Sequence, residues 1–345
     1  MMDRVCRLSL AALLAGSGAA YADGSTLTVA YYGGNWGEAF DACVAQPFTE
    51  KTGIRVVAEI GNSTTTLAKL QQQSGDAVID VAYMDGGISE LAQEAGVLAP
   101  IDLAAIPNAA SYLPQAVYKA GDEVFAVSAG YYSLGLIYNT SEVTETPDTW
   151  LSLWDESYAG AVALPSPSNS SGVPFVLFLA RSVLGDTSES LDPTFAKLKE
   201  LDTGLLFDSS GAASNAFQSS EVIIGAHFNV GAWDLTDGGL PIGFSVPKEG
   251  VWATDARMHV VKGTKNPEGA AQYLDMAASP EAAACLAERL YLGPPVTGVT
   301  LAPDVERKLP WGEGGSVEKL HLSDWTEVNA RRAAIVERWN REIAN

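Results

Sequence analysis

Two short clusters hold the side chains with the most chemistry to offer. One is Tyr31-Tyr32-Gly33-Gly34-Asn35-Trp36, within Leu27 to Gly53; the other is Tyr83-Met84-Asp85. The first mixes aromatic rings with an amide across a glycine pair, which makes a contact surface rather than a phosphate cradle. No GxGxxG or GxxxxGK[ST] is present, so nucleotide binding has little support. Asp85 stands where it could either cap the helix that follows or meet a ligand. Hydrolysis finds no GxSxG elbow and no HExxH, and His227, His259 and His321 are scattered without metal or triad spacing. His259 alternates within a strand and reads as structural. No metal site and no cofactor are expected.

These clusters need elements to position them. Leu27–Tyr32 is a β-favouring run, closed by Gly33-Gly34. Asn35 and Glu38 have capping-box spacing, Phe40, Cys43, Val44 and Phe48 recur at helical spacing, and Gly53 stops the helix. Ile54–Ile60 reads as a second strand, Thr66–Gln73 as a helix, Ala77–Tyr83 as a third strand and Ile88–Ala95 as the next helix. This is βαβ grammar, which implies a mostly parallel sheet with ligands met at the carboxyl ends of its strands. Both clusters lie at such ends. Val124–Val127 and Leu134–Tyr138 are further β-rich runs on either side of Gly130-Tyr131-Tyr132-Ser133. From Ala161 to Val246 the same grammar repeats, including the strand Val222–Phe228 that ends at Asn229. Trp252–Val261 is an extended run, and helices follow at Asn266–Ala277, Pro280–Leu290 and Asp324–Ile343.

The chain of 345 residues carries a formal charge of −21, with 21 basic and 42 acidic side chains. Arg4 and Arg7, the apolar run Leu8–Leu14 and Ala20-Tyr21-Ala22 make residues 1–22 a secretory signal, cleaved after Ala22. Its apolar run is too short to span a bilayer. Cleavage leaves 19 basic and 41 acidic residues, a charge near −22, which argues against nucleic acid and anionic membrane as partners. It also leaves Cys43 and Cys285, an even pair in an oxidising compartment, able to form a bridge or remain two buried thiols. The length suits two α/β domains.

The order of these pieces resembles the periplasmic solute-binding proteins of ABC importers, and most of all the spermidine/putrescine-binding group. The similarity rests on Asn35-Trp36 after the opening strand, Asp80-Val81-Ala82-Tyr83-Met84-Asp85, and Gly130-Tyr131-Tyr132 leading to Ile137-Tyr138-Asn139. It continues through Thr149-Trp150, Leu153-Trp154, Tyr158-Ala159-Gly160, Val246-Pro247-Lys248-Glu249-Gly250, Asn266-Pro267-Glu268-Gly269-Ala270 and Ser279-Pro280-Glu281 to Asp324-Trp325 and Trp339. The resemblance implies a type II-like two-lobed fold, with two mixed sheets flanked by helices and joined by crossing hinge strands. Lobe 1 would comprise residues 27–129 plus 254–303, and lobe 2 residues 130–253 plus 304–345. It also implies a monomeric periplasmic receptor, not an enzyme, that closes on a small-molecule ligand and presents it to an inner-membrane ABC permease.

In that group aromatic rings sandwich a polyamine chain while carboxylates hold its ammonium groups. Carried onto this chain, the rings and the acid fall on Trp36, Phe228, Trp252 and Asp255. Strand ends and turns add Asn35, Tyr32, Tyr83, Asp85 and Asn229 as ligand-binding candidates. Tyr131 and Tyr132 lie at the crossing as either cleft or hinge residues, and Ser168 and Asn169 lie in the turn Ser166–Ser171. Acids expected near that turn are replaced by Ser, Asn, Pro and Gly. A small amine or polyamine is the first expectation. A zwitterionic or anionic solute, amino-acid-like or an organophosphonate, is the alternative, as is a sensor subunit that presents the same closed lobes to a chemoreceptor or kinase.

Overall fold

A computed structural model describes residues 26–344; the expected signal segment, residues 1–22, lies outside them. Six strands come from the first part of the chain: β1 (Thr26–Tyr32), β2 (Arg55–Gly61), β3 (Val81–Asp85), β4 (Leu98–Ala99), β5 (Val117–Ala120) and β6 (Glu123–Asn139). Six more follow: β7 (Val162–Pro165), β8 (Thr203–Phe207), β9 (Ile224–Phe228), β10 (Ile242–Ser245), β11 (Val251–Val261) and β12 (Leu320–Leu322). Their hydrogen-bonded order is β2-β1-β3-β11-β6-β9-β7-β8. At one end β2, β1 and β3 run parallel, and at the other β9, β7 and β8 do; both sets are joined antiparallel to the central pair β11–β6. Each half is thus a mixed sheet, and β6 and β11 cross between them.

The 17 residues of β6 form one strand, although the sequence suggests two runs flanking a glycine break. Neighbours explain the continuity. β5 pairs with Glu123 to Val127, β11 with Val127 to Leu134, β9 with Leu134 to Tyr138 and β10 with Leu136 to Asn139, so every part of β6 has a ladder partner. The break survives as a register shift opposite Ala256 and Arg257, where Gly130 adopts φ +154°. A Cβ there would sit 3.0 Å from Leu292, so glycine meets both the backbone and the packing demand.

Apolar side chains collect into two large cores. One joins Leu27, Val29, Phe40, Phe48, Val81, Tyr83, Met258 and Tyr273; the other joins Leu134, Leu136, Trp150, Phe175, Phe195, Ile224, Trp252 and Trp339. Cys43 and Cys285 form a disulfide with a Cα–Cα distance of 5.6 Å. It ties the first helical segment to the helix Pro280–Leu290 inside the first core. A closed loop of this size adds about 5 kcal/mol in the chain-entropy account. Among the described residues no helix is long and apolar enough to cross a membrane.

Candidate functional site

The carboxyl ends of β1, β3 and β9 converge on a cleft of about 470 Å³ between the two halves. Five of the residues named from sequence line it together: Tyr32, Asn35, Trp36, Asp85 and Phe228. The helix after β1 is Gly34–Phe40, with Gly33 rather than Asn35 at its cap position. Asn35 spends its carboxamide elsewhere. Its oxygen accepts from the Trp36 amide at 3.0 Å, and its nitrogen donates across the cleft to Asp234 at 2.8 Å.

Asp85 is the centre of the first wall. Its Oδ1 accepts from the hydroxyls of Tyr32 at 2.6 Å and Tyr132 at 2.8 Å, and its Oδ2 from Ser63 at 2.8 Å. Burial pushes its pKa up, opposed by the three hydroxyl donors, with the charge of Asp255 adding a little upward. Asp85 does not cap the following helix; the amide of Gly87 is taken by Glu90 at 2.6 Å. The rings around it form a continuous aromatic lining. Trp36 meets Tyr32 edge-on at 5.4 Å and Tyr132 at 5.2 Å, and Tyr132 meets Phe228 at 5.2 Å. Hydroxyl-dressed carboxylate plus ring faces is a chemistry that stabilises an ammonium group.

The remaining candidates sit elsewhere. Tyr83 is buried in the first core, its hydroxyl 3.3 Å from that of Tyr273. Tyr131 is buried within the second core, bridging Gly293 through its backbone. Asn229 is fully buried and braces the crossing, accepting from the Ser133 amide and donating to the Tyr291 carbonyl, each at 3.0 Å. Trp252 packs on Phe228 and Trp325 and donates to Ser323 at 2.8 Å. Asp255 has no exposed surface. It accepts from Arg257 Nε and from the Tyr118 hydroxyl, both at 2.9 Å, and the Arg257 guanidinium lies 3.5 Å over the Tyr118 ring. In the Ser166–Ser171 turn, Asn169 accepts from Ser171 and Ser168 is exposed; neither lines the cleft, whereas Ser170 does.

Tyr132, which the sequence left between cleft and hinge, is in the cleft, and Ser63, Ser210, Ser214, His227 and Asp234, not singled out from sequence as ligand contacts, complete the site. The strand-end rule, applied to the run ending at Phe207, points to Ser210. Pleat parity in β6 favours Tyr132 over Tyr131. Among the described residues no group of His, Cys, Asp and Glu could hold a metal ion.

A family profile described as bacterial extracellular solute-binding protein matches residues 44–310. The spermidine/putrescine-binding periplasmic protein of Escherichia coli K12 is 25% identical over 324 residues, covering 87% of this chain and 89% of its own. The gamma-aminobutyric acid-binding protein of Pseudomonas aeruginosa is 24% identical over 318 residues, covering 88% and 87%. In three dimensions, a spermidine/putrescine ABC transporter substrate-binding protein from Streptococcus pneumoniae superposes with a TM-score of 0.74 at 20% identity, over 90% of this chain and 99% of that one.

Proposed function

The chain belongs to the family of bacterial extracellular solute-binding proteins, and from that premise we propose that it is a periplasmic receptor for a small amine or polyamine. The solute lies in the cleft between the two lobes, and the closed form is what an inner-membrane ABC permease recognises. The lobes are residues 27–129 plus 254–303 and residues 130–253 plus 304–345, a division supported by the two separate cores and the crossing strands β6 and β11. Residues 1–22 act as the export signal, cleaved after Ala22. The receptor works as a monomer by ligand-biased hinge closure, without covalent chemistry and without nucleic acid as a partner.

One observation carries this reading: a carboxylate at a strand end, Asp85, dressed by Tyr32, Tyr132 and Ser63 and walled by Trp36 and Phe228. Three hydroxyl donors leave Oδ2 able to accept one more hydrogen bond, which suits an ammonium group. The test is isothermal titration of the mature protein with a panel of primary amines and polyamines, beside small-angle scattering. A binding amine should compact the protein, and Asp85→Asn should weaken it by about 100-fold, roughly 2.7 kcal/mol. Unchanged affinity in Asp85→Asn, or binding without compaction, would sink the reading.

A further inference from the structure

Under the lobe division above, the helix Asn229–Asp237 belongs to lobe 2, and lobe 1 grips it at three points along its length. Asn229, at its start, donates to the Tyr291 carbonyl at 3.0 Å. Asp234, farther along, accepts from Asn35 at 2.8 Å, and Asp237, at its end, accepts from the Tyr291 hydroxyl. Lys308 closes the last contact, with Nζ 2.7 Å from Asp237 Oδ1 and 3.0 Å from the Tyr291 hydroxyl oxygen. Its ammonium lies 4.5 Å over the Tyr291 ring, and its carbonyl accepts from Trp233 of the same helix at 2.9 Å.

Two features set these contacts apart. Carboxylates in the last turn of a helix oppose its dipole, and this turn holds Asp234 and Asp237 with no basic residue of its own. Partners outside the helix must offset that cost. Tyr291 adopts φ +54°, a left-handed conformation that a residue with a Cβ seldom takes. That turn ends the helix Pro280–Leu290 and brings the carbonyl and the hydroxyl of one residue to one helix.

The two gripping residues are themselves joined. Asn35 lies on Gly34–Phe40, which continues into Asp41–Ala45 with Cys43; Tyr291 directly follows Pro280–Leu290, which holds Cys285. The Cys43–Cys285 disulfide binds these segments to each other. Asn35 and Tyr291 reach the same nine-residue helix, so the two segments run side by side from the bond toward it. Phe40 and Val44 from one and Leu286 and Leu290 from the other share the first core.

We infer that the helix Asn229–Asp237 is a latch for lobe closure and that the disulfide is part of its catch, holding Asn35 and Tyr291 at the spacing Asp234 and Asp237 require. Tyr291 and Asp237 do not line the cleft, so they act on a solute through closure alone. Opening the lobes leaves both carboxylates of the last turn without their lobe 1 partners. The closed form is thereby favoured before a solute arrives. The use of the latch rests on the receptor reading above, because it matters only where the lobes move.

The experiment is hydrogen exchange, read by mass spectrometry, on the mature protein without solute. Wild type is compared with Tyr291→Phe and with the double variant Cys43→Ala, Cys285→Ala; Cys43→Ala with Cys285→Val, which refills the core, replaces the latter should it not fold. Peptides from the last turn of Asn229–Asp237 report the latch, and the helix Asp192–Lys199, in lobe 2 but away from the contact, is the internal reference. Expected is exchange about three- to tenfold faster in that last turn for each variant, with the reference unchanged. A disulfide that only steadied the first core would leave a helix of the other lobe untouched. Adding Tyr291→Phe to the cysteine variant should change little more, since the catch is already loose. Unchanged exchange in either variant, equal acceleration in the reference helix, or fully additive effects would overturn the inference. Compaction by an amine together with uncoupled exchange ends the latch alone; coupled exchange without compaction by any amine keeps the contacts and ends the receptor reading.

Discussion

Asp85 and Asp255 are carboxylates one register step apart on neighbouring strands, and they live in opposite worlds. Asp85 pairs with Ala256, so it shares a face of the sheet with Ala256, Met258 and Tyr83 and opens on the cleft. Asp255 points through the other face with Arg257, where it is fully buried and ion-paired. Arg257 also binds Glu90 at 2.5 Å, so the second carboxylate is part of an internal charge network under the site. Position at a strand end brings an acid near the cleft. Pleat parity decides whether it meets the cleft or the core.

The contrast breaks most visibly in stability. Asp255→Ala should cost about 3–5 kcal/mol in urea unfolding, because it removes one partner of a buried pair and leaves Arg257 undercompensated. Arg257→Met in the same chain should recover much of that loss, since the pair then disappears together. Asp85→Asn should be close to neutral or slightly stabilising, since burial already raises that carboxyl and opposes its charge. If the two aspartates cost the same, the two-faced account is wrong.

A smaller effect sharpens the boundary between them. Gly86 follows Asp85 and lies on the Asp255 face. A Cβ there would fall 2.2 Å from Trp325 Nε1 and 2.8 Å from Arg257 Nη2. Trp325 opens the helix Trp325–Glu342, which packs on the second core. Gly86→Ala should therefore cost about 1–3 kcal/mol by overpacking. It should also weaken amine binding, since the displaced turn carries Asp85 and presses on the other lobe. Thermal melts and titration read the two effects; a melt unchanged within error would remove Trp325 from this account.

The sequence made the frame legible because periodicity and glycine stops report local structure. Gly53 ends its helix at φ +76°, and Pro267–Ala277 and Pro280–Leu290 form as their proline starts suggest. Cys43 and Cys285, which the sequence left as either a bridge or two buried thiols, are bonded. What stayed hidden was parity across long ladders. Tyr131 pairs with Asp255 and Tyr132 with Thr254, so only the second faces Asp85; that depends on how β6 lies against β11, which no local pattern encodes. The second wall was partly legible: Ser170 lies in the turn Ser166–Ser171 and Ser210 follows a strand end, whereas Ser214 sits inside the helix Ser210–Gln218 with no local signal. Asn35 had a local cap signature, yet its carboxamide finds Asp234 199 residues away.

The finest discrimination is by pH. Asp85 is raised above 3.8, first by burial, while an amine ligand keeps its charge throughout the acid range. Amine affinity should therefore begin to fall at a higher pH than an ordinary aspartate would give, by at most about tenfold per pH unit below the raised value. Folding stability responds by a different route and must be followed alongside. His227 is lowered to about 4 and His259 to about 3, both first by burial, so on acidification the unfolded chain takes up these protons before the folded one. Each histidine then removes stability as pH falls from about 6.5 toward its folded value, by up to about 1.4 kcal/mol per pH unit. Asp85 contributes the reverse sign, because its raised carboxyl binds a proton more readily in the folded state. Titrating an amine from pH 7.5 downward, with urea midpoints at each pH, separates the two. Affinity that holds until unfolding begins would place the ammonium somewhere other than Asp85, whereas an earlier loss that vanishes in Asp85→Asn would tie it to the cleft-facing carboxylate and leave Asp255 to the core.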